Sequence, residues 1–292
     1  MLWSLTSLVG VVMTGQLSGK RTGRRELEII RTSLSDGDLA ILRLVADHRF
    51  LTTNQICKFH FTNKPTKTAA LRSANRTLAR LRDLRLLVSL ERRIGGVRAG
   101  SGSFVWSLGI IGARTLNDGD ANGSTSCRYR EHEPTTTFLE HHLAVAEVHL
   151  ELQMVASGQA IALSSLQLEP TCWRSYLGPG GERRWLKPDL AVTTTSDDFE
   201  DHWFFEIDRG TEPPSRVLRK CLQYREYRAT GIEAHRVGVF PAVVWIVPSS
   251  KRVQSLQICL KEREGMGDRL FSFITLDQLG DLVISGPEGG TQ

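Results

Sequence analysis

Lys187-Pro188-Asp189-Leu190-Ala191-Val192, followed after a turn by Phe204-Phe205-Glu206-Ile207-Asp208, is the stretch on which the reading of this chain turns. Both halves are short runs rich in β-branched and aromatic residues, the composition of buried strands. Acids are rare in such strands, because burying a carboxylate is costly unless a partner offsets it. The period of two puts Glu206 and Asp208 on one face and Ile207 on the other. If the two strands pair as a hairpin, Asp189 joins that face. Three carboxylates so placed repel one another, and a divalent cation such as Mg2+ (or Mn2+) relieves the repulsion by taking carboxylate oxygens. Asp189, Glu206 and Asp208 are therefore the expected metal ligands. The alternative is that Asp189 is a turn residue and Asp208 merely ends a strand.

The surrounding chain has 292 residues, 40% of them hydrophobic, enough for two domains. Its net charge of +5 permits a nucleic-acid partner. Five scattered cysteines, with no Cys-x-x-Cys pair, argue against a disulfide framework or a structural zinc site and fit a cytoplasmic location. Residues 2–15 are uncharged but too short to span a bilayer, and the basic cluster Lys20, Arg21, Arg24, Arg25 follows rather than precedes them. Residues 1–33 are expected to be a flexible basic tail.

Residues 34–116 read as three helices and a hairpin. Ser35 caps the first helix and Thr52 or Thr53 the second. The third runs from about Lys67 to Arg85, with Ala70, Ala74, Leu78, Leu81 and Leu84 at helical spacing and Arg72, Arg76, Arg80 and Arg82 around them. Two apolar runs, 86–90 and 102–108, flank a glycine-rich tip with Arg92, Arg93 and Arg98. This is the order of a winged helix-turn-helix, whose third helix enters the major groove of double-stranded DNA while the hairpin follows the backbone. Arginine suits both tasks through its planar fork.

Residues 117–134 are polar and read as a linker, and 285–292 as a disordered tail. Between them, 135–284 read as a long amphipathic helix from Phe138, a strand near 161–168, a loop from Cys172 to Trp185, the two acid-bearing strands, a helix carrying Lys220 and Tyr224, an apolar strand Val237 to Val247, a helix from Lys251 and a last strand.

In that order the second half resembles the restriction-endonuclease-like, PD-(D/E)XK nucleases, an αβββαβ fold. Pro188-Asp189 matches their first motif, and Glu206-Ile207-Asp208 falls where acid-x-lysine is expected. Lys220-Cys221-Leu222-Gln223-Tyr224 resembles the helix that follows. The resemblance implies that a residue on the preceding helix completes the metal shell, with His142 and Glu147 as candidates. The chain from about Leu34 to Ile284 also resembles the bacterial replication-relaxation family, associated with plasmids and mobile elements.

The fold class expected is thus α+β and α/β, a winged helix followed by a nuclease-like domain. The function implied is a metal-dependent DNA endonuclease or nickase of plasmid replication or mobilisation, with Asp189, Glu206, Asp208 and Lys220 catalytic. Aspartate at 208 stands where the family pattern has lysine. Lys220, as a lysine that has migrated to the helix, or Lys187 would supply the missing charge, or a second metal would. The alternative function is a non-catalytic DNA-binding initiator or regulator with a degenerate nuclease domain. Partners expected besides DNA are a second copy of the chain or replication and conjugation proteins, with no membrane. The lack of a phosphate-binding Gly-x-x-x-x-Gly-Lys-Ser/Thr loop argues against an ATPase, and His141-His142 lacks the third histidine of a relaxase triad.

Overall fold

Capping chemistry sets the helices of the first third. The computed structural model describes residues 22–94, 103–119, 134–158, 161–196, 199–261 and 270–289. Helix α1 (Arg24–Thr32) buries Leu27 and lies against a later helix, where Arg114 Nη1 donates to the Thr22 carbonyl at 2.8 Å. The part of the expected tail from Arg24 is therefore a packed helix. Ser35 and Asp38 form a reciprocal capping box at the start of α2 (Asp36–His48). After the short β1 (Leu51–Thr52), Thr52 and Gln55 do the same for α3 (Thr53–His60). Thr66 caps α4 (Lys67–Asp83), whose Ala70, Ala74, Leu78 and Leu81 are buried.

Strands β2 (Leu87–Ile94) and β3 (Ser103–Leu108) pair antiparallel, and β1 pairs on the other edge of β3. Helix α5 (Ile110–Gly119) packs so close to the turn before β2 that a Cβ on Gly112 would sit 2.2 Å from the Leu86 carbonyl oxygen. The helices enclose Ile41, Leu42, Ile56, Leu78 and Trp106, and the Trp106 indole N–H is satisfied by Thr53 Oγ1 at 2.9 Å. The expected three helices and hairpin are present in this order.

The second half is a five-stranded mixed sheet between helices. Helix α6 (Thr136–Gly158) leads into β4 (Ala162–Leu168), then a separate hairpin of β5 (Arg174–Leu177) and β6 (Arg183–Leu186). That hairpin replaces the loop expected from Cys172 to Trp185. Next come β7 (Leu190–Thr195), β8 (Glu200–Ile207), α7 (Pro214–Ala229), α8 (Ile232–Val237), β9 (Ala242–Ile246), α9 (Ser250–Lys261), β10 (Phe271–Ile274) and α10 (Leu279–Gly289). The apolar strand is shorter than expected, because Val237 ends α8 and Gly238 turns the chain with φ 86°. The expected tail from residue 285 begins as helix, bent at Gly286 (φ 75°) just ahead of Pro287.

The sheet order is β10-β9-β8-β7-β4, with β4, β7 and β8 antiparallel and β8, β9 and β10 parallel. Alternation along β8 sends Trp203, Phe205 and Ile207 to the face covered by α6 and α10, and Phe204 to the face covered by α7 and α9. The fold is mixed α+β. Among the described residues no helix is long and apolar enough to cross a membrane.

Helix α6 serves both halves. Its Val145, Val148 and Leu152 pack on the sheet, while Ala146 belongs to the core of the N-terminal helices. Gln55 Nε2 donates to the Leu143 carbonyl (2.9 Å) and to Glu147 (3.0 Å), and His48 Nε2 lies 2.9 Å from His149 Nδ1. Burial, and then repulsion from neighbouring imidazoles, pushes His48 down to about 3; burial pushes His149 down to about 4. The pair is therefore neutral in the folded state, whereas the unfolded chain takes up these protons below about pH 6.5. Its contribution is complete above that pH and is lost as pH falls towards the folded values, by about 1.4 kcal/mol per unit for each histidine. Urea unfolding of the wild type should show falling stability from about pH 6.5 to 4.5, with a shallower fall in His48→Gln. Equal slopes in the two proteins would contradict the assignment.

Candidate active site

Asp189 sits one residue before β7, at the end of the sheet reached by β8. Pro188 keeps the preceding residue extended, and Cys172 Sγ donates to the Pro188 carbonyl at 2.9 Å. The Asp189 N–H donates to the Phe205 carbonyl (3.1 Å), and its Oδ2 accepts from the Ile207 N–H (2.7 Å). Oδ1 is left facing α6, where His141 Nε2 lies 3.2 Å away. One buried carboxylate thus joins β7, β8 and α6.

Glu206 occupies the α7 face of β8 and is fully buried. Tyr224 donates its hydroxyl to Glu206 Oε1 at 2.6 Å, and Lys220 forms an ion pair with Oε2. The spacing of four places Lys220 and Tyr224 on the same side of α7. The lysine therefore reaches the acid strand from the helix, as the sequence led one to expect.

One ammonium now faces two buried carboxylates. Burial pushes the Asp189 carboxyl up, but Lys220, the His141 hydrogen bond and the Ile207 N–H outweigh it and hold the group below its usual range. At Glu206 burial, opposed by Lys220 and reinforced by Asp189, wins and pushes the carboxyl up to about 8. Burial disfavours the Lys220 ammonium, yet Glu206 and Asp189 together raise its affinity for the proton. Burial and the charge on Asp189 also raise Glu169. Burial alone would lower His141, but the hydrogen bond and charge of Asp189, and then Glu169, outweigh it and raise the group. Lys220 and His141 therefore both lean towards positive charge beside three acids, and the place of the His141 proton could be taken by a bound cation.

His141, Glu169 and Asp189 supply a place for one. One ligating atom from each lies within 4.8 Å of the other two. Beside them a cavity of ≈ 10 Å³, lined by His141, His142, Glu169 and Asp189 together with the apolar Val145 and Leu168, has room for about one water. A nitrogen with two carboxylates suits Mn2+ or a neighbouring transition ion better than Mg2+, which prefers an all-oxygen shell. Arg49 reaches the trio from the N-terminal helices. It ends α2 with φ 66°, a strained value for a side chain other than glycine, and its guanidinium lies 3.9 Å from Glu169 and 3.5 Å from His142 Nε2.

Several expected members of the site lie elsewhere. Asp208 follows the end of β8 at Ile207 and joins neither the trio nor the Glu206–Lys220 pair. Its Oδ1 accepts from the Gly210 N–H (2.8 Å) in the turn and its Oδ2 from Arg252 Nε (2.6 Å), so its carboxylate braces the turn to α9. His142 packs edge-on against Phe138, while Glu147 accepts from Gln55 and Lys58; neither belongs to the trio. Lys187 places its ammonium over the Trp173 ring, 4.2 Å from the centroid. Of the α4 arginines, all exposed, Arg80 pairs with Asp38 and Arg82 with Asp83, while Arg72 and Arg76 have no acidic partner among the described residues. Arg92 and Arg93 belong to β2, but their side chains, like Arg98 and Cys127 altogether, lie outside the described residues.

Glu169 and His141 are the members the sequence reading missed. The β4–β7 register pairs Leu168 with Leu190, so one further step sets Glu169 across from Asp189; the signal was an acid just past a strand. His141 was legible only as half of a His-His pair.

A family model described as replication-relaxation matches residues 42–243, from within α2 to within β9. Comparison with curated proteins and with solved structures gave no match.

The Glu206–Lys220 pair makes a stability claim. Removing one partner of a buried pair costs about 3–5 kcal/mol, and the partial exposure of Lys220 (28%) puts Lys220→Met near the lower end. The double variant Lys220→Met/Glu206→Gln should recover much of that loss in a double-mutant cycle read by chemical denaturation. Strict additivity of the two single changes would show that the pair is uncoupled.

Proposed function

The chain belongs to the replication-relaxation family, and from that premise we propose that it is a DNA-nicking enzyme of plasmid or mobile-element replication, working with a divalent cation at His141, Glu169 and Asp189. The observation that carries this reading is the convergence of those three ligating atoms within 4.8 Å beside the Glu206–Lys220 pair. The order α6-β4-β7-β8-α7-β9, with an acid at the head of one central strand and another inside its neighbour, supports a nuclease-like second half. The first half, residues 34–116, is read as a winged helix that binds double-stranded DNA, with α4 presenting Arg72 and Arg76 to phosphate or base edges. DNA as the substrate would place the work in the cytoplasm.

A bound divalent cation would lower the pKa of a coordinated water and offset charge on the scissile phosphate. The chain's own residues prepare the rest. Asp189 is held ionised by Lys220, His141 and the Ile207 N–H, which keeps a carboxylate ready as a ligand. Lys220 Nζ sets a fixed positive charge beside that ligand, the role the family pattern gives to the lysine absent at 208. Tyr224 and Lys220 lock the Glu206 carboxyl in place through one oxygen each. Mn2+, rather than the Mg2+ expected from three carboxylates, is the better fit to a trio that includes an imidazole.

A second reading, a DNA-binding initiator without cleavage, is favoured by the engagement of Asp208 with Arg252 and by the enclosure of Glu206. One assay separates the two. Supercoiled plasmid incubated with the wild type should be nicked in Mn2+ and less well in Mg2+. Asp189→Asn should nick at least about 100-fold more slowly while binding DNA equally. Absence of nicking by the wild type in either ion, with DNA binding intact, would establish the non-catalytic reading.

A further inference from the structure

We propose that the groove between α7 and the β5–β6 hairpin binds a single nucleic-acid strand and leads it to Lys220. This rests on the reading of the Lys220 cluster as a phosphodiester site and adds the path by which the substrate strand arrives. The groove encloses ≈ 540 Å³. One wall is the outer stripe of α7, with Arg216, Arg219, Lys220 and Gln223 at helical spacing. The other wall is the face of the hairpin on which Tyr176 and Arg184 stand opposite each other in register.

Charge favours an anionic occupant. Arg219 is exposed and has no acidic partner among the described residues, at the centre of the stripe. The flanking cations sit in partly exposed pairs, Arg216 with Glu212 at 2.8 Å and Arg184 shared between Glu182 and Glu226, the latter at 2.7 Å. Such pairs contribute little, so a phosphate that binds an arginine in bidentate fashion can displace the carboxylates. Between the cations Leu222 is 43% exposed, while Tyr176, 3% exposed, belongs to the core beneath the groove. Apolar surface among arginines is the lining that accepts unpaired bases, whose flat faces are hidden within a duplex. Lys220 belongs both to this groove and to the buried cluster, so a phosphate at that end lies against the ion pair with Glu206.

The test is the binding of a fluorescent oligo-dT of about eight nucleotides in EDTA, where no cleavage occurs, over a range of salt concentrations. The Arg216→Ala/Arg219→Ala double variant should bind at least about tenfold more weakly. Its salt slope should be smaller by about 1.4, the effect of losing two single-strand phosphate contacts. Lys251→Ala/Lys261→Ala, two exposed lysines of α9 outside the groove, should leave oligo-dT binding unchanged. Wild-type affinity and slope in the groove variant, with an unaltered unfolding midpoint, would overturn the proposal, as would a loss seen with duplex DNA alone. Because the measurement is metal-free, groove-dependent binding by a protein that never nicks would retain the groove and reject nicking. Nicking by a protein whose groove variant binds normally would reject only the groove.

Discussion

The buried carboxylate of Asp189 is the constraint on which the second half depends. It cannot be left unsatisfied at the end of an apolar sheet, and each group that satisfies it fixes another element. The Ile207 N–H ties it to β8, His141 ties it to α6, and the charge of Lys220 reaches it from α7. Glu206 then competes with it for the same ammonium. The result is a buried cluster in which Asp189, Glu206 and Glu169 face His141, Lys220 and Arg49, next to a space with room for about one water. A neutral core of the same shape would be simpler to fold. Clusters of perturbed titratable groups gather at functional sites more often than elsewhere.

Helix α6 connects that chemistry to the N-terminal helices. It presents His141 to Asp189 and, farther along, His149 to His48 of α2. Arg49, just beyond His48, holds a strained backbone and extends to Glu169, another member of the trio. A displacement of α2 would therefore be felt at the trio through two routes, the packing of α6 and the side chain of Arg49.

Much of this was legible in the sequence. Ser35 and Thr52 announced two helix starts, because each supplies an oxygen to an orphaned N–H. Acids in apolar strands pointed to Asp189 and Glu206, and helical spacing joined Lys220 to Tyr224. What failed did so for physical reasons. Alternation says nothing beyond the end of a strand, and Asp208 lies just there, captured by a local N–H and by an arginine 44 residues away. Helix α6 packs against both halves, so it has no single apolar face from which to choose His141 over His142. Glu169 joins Asp189 only through the pairing of β4 with β7, a long-range contact. The β5–β6 hairpin stands apart from the main sheet, and Arg183-Arg184-Trp185-Leu186 lacks the alternation of a half-buried strand.

The central claim is that His141, Glu169 and Asp189 form a divalent-cation site beside the Lys220–Glu206 pair. Anomalous diffraction from crystals grown or soaked with Mn2+ tests it most directly. The account predicts one ion coordinated by His141 Nε2 and by carboxylate oxygens of Glu169 and Asp189, at about 2.0–2.6 Å. Mn2+ bound only elsewhere, with the His141–Asp189 hydrogen bond left intact, would contradict it.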